Sequence, residues 1–353
     1  MKINDLIKNE FFNLRPVLGF DWAMFICLLG AREVGKSYSV MDFFMDQFIK
    51  KGRPFYWIRL TEKSQKALLN NNAEKLIDPD IRRRYNIETI TNGNSVYMVT
   101  ERTEPDEKGN TKIKSKKLMC RVFALSTFYN DKGSGLFDKD FLNDPNMYYN
   151  ICFDEMNREK SEKKSFDIVY AFVNQLENLV RSTKTRLRIF MIGNTLEEAS
   201  DMLCAFNFLP EKFGVFKLKK KRAVIVNMPL SEKYKARRKG TVADLLTPES
   251  STFINEVKTD TALISKKPLL IPEFIIKFGK EKSTWYTVWN NNIIAPYKGE
   301  KKRAVAMYPY IDEIYIVDSV RQILLLFNNR QFRFHNLITF KRFQKELTLL
   351  KPA

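Results

Sequence analysis

The first two hundred residues alternate unbroken apolar runs with segments whose apolar residues recur at helical spacing. "AMFICLL" (23–29), "PFYWIRL" (54–60), "MYYNICFDE" (147–155) and "RLRIFMIGNT" (186–195) read as buried strands. "YSVMDFFMDQFIKKG" (38–52) and "FDIVYAFVNQLENLVRS" (166–182) read as helices, the first stopped at Gly52. "NSVYMVT" (94–100) and "KLMCRVFAL" (117–125) flank a polar stretch and predict a hairpin with a long tip over 101–116. Strands alternating with helices predict an α/β domain built on a parallel sheet.

The pattern changes twice further on. Lysine and arginine dominate 211–240, in "KLKKKR" (217–222) and "KYKARRKG" (233–240), which reads as a boundary segment. Past about residue 264 come short strand-like runs, "EFIIKF", "TWYTVW", "AVAMYPY" and "EIYIVD", and a closing helix, "NLITFKRFQKELTLL". The expected organisation is an α/β domain over 1–208, a basic linker over 209–260 and a small α+β domain over 261–353.

Candidate chemistry sits at the ends of the predicted strands. "GAREVGKS" (30–37) follows the first strand and opens the first helix, the G-x-x-x-x-G-K-S pattern of a phosphate-binding loop. Backbone N–H groups of Gly30, Ala31, Arg32, Glu33, Val34 and Gly35 would wrap a β-phosphate. Lys36 would reach the β- and γ-phosphates of ATP, and Ser37 would hold Mg²⁺. "ICFDE" (151–155) ends a strand in two acids: Asp154 suits the metal shell, and Glu155 suits polarisation of the attacking water. Asn194, at the end of the next strand, is placed to sense the γ-phosphate. An arginine must also meet the developing phosphoryl charge. Arg181, Arg186, Arg158 and, within the loop, Arg32 remain open for that role.

Composition narrows the field. Sixty Lys and Arg against 41 Asp and Glu give a formal charge of +19, which favours an anionic partner, nucleic acid first. A single histidine, His335, and four widely spaced cysteines argue against Cys/His zinc sites and against His-dependent triads. The cysteines, Cys27, Cys120, Cys152 and Cys204, lie in apolar surroundings and are expected to be reduced. No apolar run approaches the ~20 residues that span a bilayer, and "MKINDLIKNEFF" lacks a signal-peptide core.

"GAREVGKSYS", "FDEMNREK", the helix ending "LVRS" and "RLRIFMIGN" together resemble the genome-packaging ATPases of phi29-like tailed phages, terminase-like motors of the additional-strand, conserved-glutamate P-loop class. "RRKGTVADLL" (237–246) is similar to that family's linker, and "LLFNNRQFRFHN" (325–336) to the end of its C-terminal domain. The resemblance implies an N-terminal ATPase and a C-terminal domain like an RNase H nuclease that has lost its metal-binding acids. It implies a homo-oligomeric ring, usually a pentamer, on the portal of an empty procapsid in the host cytoplasm. A scaffold RNA is left open. Arg181 falls where the family places a trans-acting arginine finger, once one inserted residue is allowed. Lys132 falls near a lysine also assigned across the subunit interface. Arg59 matches an arginine that can hold the catalytic glutamate inactive. The longer hairpin tip departs from the family pattern.

A motor that accepts any sequence grips phosphates, not bases. Lys219, Lys220, Lys221 and Arg222, with Lys114, Lys116 and Lys117 on the hairpin, are the expected contacts to double-stranded DNA. Two rival readings are a complete terminase that also cuts DNA and a signalling or partitioning ATPase. The first needs clustered acids for two metals, and Asp312, Glu313 and Asp318 form no convincing set.

Overall fold

The computed structural model describes residues 3–8, 10–106, 109–127, 148–157, 167–180, 186–194, 200–210, 212–246, 264, 274–278, 284–289, 293–296, 307–308, 310–311, 314–315 and 317–349. The chain divides into two units, residues 1–195 with 210–256, and residues 196–209 with 257–353.

The first unit is built on nine strands: β1 (Phe25–Gly30), β2 (Phe55–Arg59), β3 (Thr89–Asn92), β4 (Ser95–Arg102), β5 (Ile113–Ala124), β6 (Tyr148–Phe153), β7 (Arg186–Asn194), β8 (Gly214–Leu218) and β9 (Ala223–Asn227). Their order across the sheet is β8-β9-β1-β7-β6-β2-β5-β4-β3. The six strands from β9 to β5 are parallel, and β8 at one edge and β4 and β3 at the other are antiparallel additions. Strands covered on both faces need continuous apolar runs. β2 and β6 meet that need, since Phe55, Tyr56, Trp57, Ile151, Cys152 and Phe153 are all buried.

Helix α1 (Lys36–Lys51) buries Val40, Met41, Phe44, Met45 and Phe48, a stripe at helical spacing. Gly52 ends it at φ 63, its N–H bonded to the carbonyls of Gln47 and Phe48. Phe44 carries much of the contact with the sheet: its ring lies 5.0 Å from Phe55, 5.5 Å from Phe190 and 6.3 Å from Trp57. Truncating so central an aromatic to alanine costs about 3–5 kcal/mol. Helix α2 (Glu62–Ala73) starts at a Thr61 capping box, and α3 (Pro79–Tyr85) is capped by Asp78. Helix α4 (Ile168–Val180) lies over β6, with Phe172 stacked on Phe153 at 5.0 Å.

Two expectations need correction. The basic stretch 211–240 is not only a linker. Its middle, "AVIVN", is the fully buried strand β9, hydrogen-bonded in parallel to β1, and β8 caps that edge of the sheet. Helix α5 (Glu232–Arg238) follows. The surrounding lysines concealed a five-residue apolar run. The hairpin tip is also shorter than 101–116. Pairing continues to Arg102 and Ile113, with a Thr100–Ser115 hydroxyl contact of 2.6 Å and a Lys114–Glu101 ion pair of 2.7 Å along the ribbon. A two-stranded antiparallel ribbon tolerates polar residues on both faces because water meets both.

The second unit has a mixed five-stranded sheet in the order Met307–Tyr308, Phe274–Phe278, Thr284–Trp289, Ile293–Pro296, Arg333–Phe334. Helices α6 (Val317–Asn328) and α7 (Leu337–Leu349) accompany it. Its core gathers Ile276, Tyr286, Ile323, Phe332, Phe334, Phe343 and Leu347. Phe343 is central, with ring centroids 5.2 Å from Tyr286 and 5.7 Å from Phe334.

Candidate active site

Parallel strands end together, and the polar residues at their C-terminal ends meet there. Lys36, the first residue of α1, turns its ammonium back over the loop. Its Nζ donates to the carbonyls of Gly30 at 2.9 Å and Ala31 at 2.5 Å, and lies 3.4 Å from Asn194 Oδ1. Burial leaves it 5% exposed and pulls its pKa down to about 8; Asp154 opposes that shift and Arg32 adds to it. Gly35 has φ 85, and a Cβ there would meet Phe11 Cβ at 3.4 Å, so the loop needs glycine for its backbone conformation.

Ser37 Oγ lies 3.2 Å from Asp154 Oδ1. That pair fits a magnesium shell, one hydroxyl ligand and one carboxylate acting directly or through water, with phosphates completing it. Asp154 is positioned by its backbone N–H, which bonds the Ile58 carbonyl at 2.9 Å. Glu155 follows at φ 55, a left-handed conformation that turns its side chain away from the strand direction. Its N–H donates to Asp154 Oδ1 at 3.1 Å.

Arg59, at the end of β2, joins the two acids. One guanidinium nitrogen bonds Asp154 Oδ2 at 2.8 Å, and the other bonds Glu155 Oε2. The arginine is 12% exposed, so the link to Asp154 lies in a sheltered place, whereas the Glu155 carboxylate is 56% exposed. In this geometry Glu155 is engaged by a cation and not free to polarise water.

Residues that sequence reasoning did not single out complete the surroundings. Asn157 Nδ2 donates to the Asn194 carbonyl at 3.2 Å. A Cβ on Gly193 would lie 2.6 Å from that amide and 2.9 Å from Met156 Cε, so a larger residue there would displace both side-chain ends beside Asn194. From the other side α5 clasps the loop. Tyr234 O–H donates to the Arg32 carbonyl at 2.6 Å, and Arg238 pairs with the Glu33 carboxylate at 3.0 Å. The neighbouring Arg237 lies 3.4 Å from the Glu33 carbonyl. The N-terminal segment adds a bond from Phe12 N–H to the Val34 carbonyl at 2.8 Å. "IGN" hinted at Gly193. Nothing local hinted at Tyr234, 202 residues from its partner.

Other expected residues lie elsewhere. Arg181, Lys132 and Arg158 are outside the described residues. Arg186 begins β7, at the opposite end of the sheet, where it meets Tyr148 Oη at 3.2 Å. It is therefore remote from Lys36 and Asp154 of its own chain. Lys114, Lys116, Lys117 and Lys219–Lys221 are also exposed and away from the loop. All four cysteines are free thiols, three of them buried. No helix among the described residues is long and apolar enough to cross a membrane. The described residues contain no group of three metal-ligating side chains.

No protein-family model matches the chain. Its sequence is 23% identical to the DNA packaging protein of Bacillus phage phi29 over 269 residues, 75% of this chain and 69% of that protein. It is 24% identical to the DNA packaging protein of Bacillus phage PZA over 214 residues, 59% of this chain and 54% of that one. The bacteriophage phi29 genome packaging motor assembly superposes with a TM-score of 0.61 at 19% identity, covering 97% of this chain and 99% of that one. The chain is thus similar in sequence to the DNA packaging proteins of Bacillus phages phi29 and PZA, and similar in fold to the phi29 packaging motor.

Proposed function

We propose that the chain is an ATP-driven motor that moves double-stranded viral DNA into a preformed procapsid. The observation that carries this reading is the meeting of Lys36, Ser37, Asp154, Glu155 and Asn194 at one end of a parallel sheet, in a chain similar in sequence to phage packaging proteins. The loop amides and Lys36 bind the triphosphate, and Asn194 faces the position of its terminal phosphate. Ser37 and Asp154 would hold a magnesium ion, which would supply charge neutralisation to the triphosphate. Glu155 orients and polarises the attacking water once Arg59 releases it. Arg181 from a neighbouring copy stabilises the transferred phosphoryl charge, and Lys132 acts at the same boundary. The working form is a ring, a pentamer by analogy, seated on the portal during assembly in the host cytoplasm. The second unit is read as a nuclease-like domain without its metal-binding acids.

The test is ATP hydrolysis by the purified chain alone, with duplex DNA, and with DNA plus procapsids. The expected outcome is a rate that rises on adding DNA and rises again with procapsids, with DNA becoming nuclease-resistant. Hydrolysis indifferent to both would favour a signalling or partitioning ATPase.

A further inference from the structure

Glu33 sits in the middle of the Gly30–Gly35 loop at φ 62, and Gly35 follows at φ 85. An L side chain stays in that left-handed region only where its surroundings fix it. Here the fixing comes from outside the loop. Tyr234 O–H donates to the Arg32 carbonyl at 2.6 Å, and Arg238 meets the Glu33 carboxylate at 3.0 Å. Arg237 makes a longer contact with the Glu33 carbonyl, 3.4 Å, and Phe12 N–H donates to the Val34 carbonyl at 2.8 Å. These donors form one wall, since Arg237 also lies 5.1 Å over the Phe11 ring.

The direction of those bonds decides where the loop amides point. In a trans peptide the carbonyl of one residue and the N–H of the next point opposite ways. Donors that hold carbonyls 32, 33 and 34 on one side therefore turn the N–H groups of Glu33, Val34 and Gly35 to the other. Successive amides turned the same way make a cradle for an anion. The wall itself is firmly set. Met228 N–H donates to the Leu29 carbonyl at 3.0 Å, one residue before the loop begins. Ser231 then caps α5 by accepting the Tyr234 N–H at 3.1 Å. Tyr234 is 1% exposed and the Arg238 side chain 12%.

We propose that Tyr234 and Arg238 are positioning residues for triphosphate binding, which act by aiming the amides of Glu33, Val34 and Gly35 and touch no phosphate themselves. The inference rests on the reading of this site as an ATP site. Tyr234 acts on the backbone directly, through the Arg32 carbonyl. Arg238 acts through Glu33: it holds the carboxylate and so keeps that residue left-handed. Two other roles would leave different marks. An arginine that attracted the triphosphate by its own charge would not need Glu33. Residues that only supported the fold would change the melting temperature and leave affinity alone.

The test is a double-mutant cycle on the full chain. It reads the dissociation constants of ATP and of inorganic pyrophosphate well below the melting temperature of every variant. R238Q should weaken both ligands by up to about fivefold, the worth of one such ion pair. In an E33A background the same change should do almost nothing, because its partner is already gone. Y234F keeps the ring and loses only the bond, and should weaken both ligands by a similar factor. Equal losses for ATP and pyrophosphate support an effect on the phosphate cradle; a loss for ATP alone overturns it. An R238Q loss undiminished in E33A means direct attraction and overturns the positioning role. So do variants that melt lower yet bind as tightly as wild type. Failure of the ATP reading looks different: wild-type protein that binds neither ligand, which overturns both.

Discussion

The two ends of the parallel strands differ in kind. At the C-terminal ends a few side chains converge within hydrogen-bond reach, partly buried, each held by a neighbour: Lys36 on two carbonyls, Asp154 between Ser37 and Arg59. At the N-terminal ends the charges are exposed and spread over several strands, Arg186 on β7 and the Lys219–Lys221 turn ahead of β9 among them. A convergent site fails when one group is removed, because every group acts on the same few atoms. A dispersed one should weaken by increments. The proposed chemistry and a grip on phosphates would place opposite demands on the same sheet, and these two ends differ in the matching sense.

The sharpest break in that comparison would come from Arg181. As a finger it completes a neighbour's site, and such an arginine is worth about 10³–10⁵ in rate. Arg181→Ala subunits should be nearly inactive alone yet regain hydrolysis when mixed with Glu155→Gln subunits. The rescue arises where an Arg181→Ala pocket meets a Glu155→Gln neighbour that supplies the arginine. A mixing titration with no rescue would put the arginine in cis, and an active single variant would remove its role.

Next in size is the pair Lys36→Ala and Glu155→Gln. The first should abolish measurable nucleotide binding. The second should bind ATP normally and lose about 10²–10⁴ in turnover, the usual worth of a positioned base. Near-normal turnover in Glu155→Gln would remove the glutamate from the mechanism. Neither change should alter the salt slope for duplex binding.

A smaller effect follows from Lys36 and pH. Its pKa of about 8 in the folded chain lies below the ordinary 10.5. Below pH 8 it is charged and ready for phosphate. Above that, binding must first load a proton, so nucleotide affinity should fall by up to about tenfold per pH unit, with proton uptake visible by calorimetry in buffers of different ionisation enthalpy. The stability sign is the reverse. Between about 8 and 10.5 the unfolded chain holds the proton that the folded chain has shed, so this lysine's contribution to stability rises with pH. A pH-independent affinity up to 9.5 would show that the ammonium stays charged in the folded chain.

Smallest is Tyr234→Phe, which removes one buried hydroxyl from the Arg32 carbonyl. The loss is about 1 kcal/mol. It should lower the melting temperature by a few degrees and weaken nucleotide binding by up to about fivefold. An unchanged affinity would mean the clasp does not shape the loop.

The convergent end was the more legible in sequence. The G-x-x-x-x-G-K-S pattern is local to a strand–helix joint, so the place of Gly30 to Ser37 in the fold could be read from eight consecutive residues. Asp154 and Asn194 were found by the same logic, polar residues closing apolar runs. Arg59 was reached only through the family resemblance, because its contact with Asp154 depends on β2 and β6 pairing in register. The dispersed end was half legible. The lysine clusters were plain, but their common location depends on strand order. The buried run Ala223–Asn227 was lost among them because lysine density outweighed five apolar residues. The clasp of Tyr234 and Arg238 was invisible, since helix spacing sets which residues face inward but not what they meet.

That clasp has a mechanical consequence. α5 holds the carbonyl of Arg32 and the side chain of Glu33, and the chain leaves its C-terminal end at Lys239. Tension along that chain would therefore reach the loop through the contacts of Tyr234, Arg237 and Arg238. If nucleotide reshapes the loop, reciprocity requires that tension change nucleotide affinity by the matching factor. A loop tethered in this way registers load: under tension, the subunit's nucleotide occupancy would carry information about the force on the chain beyond it.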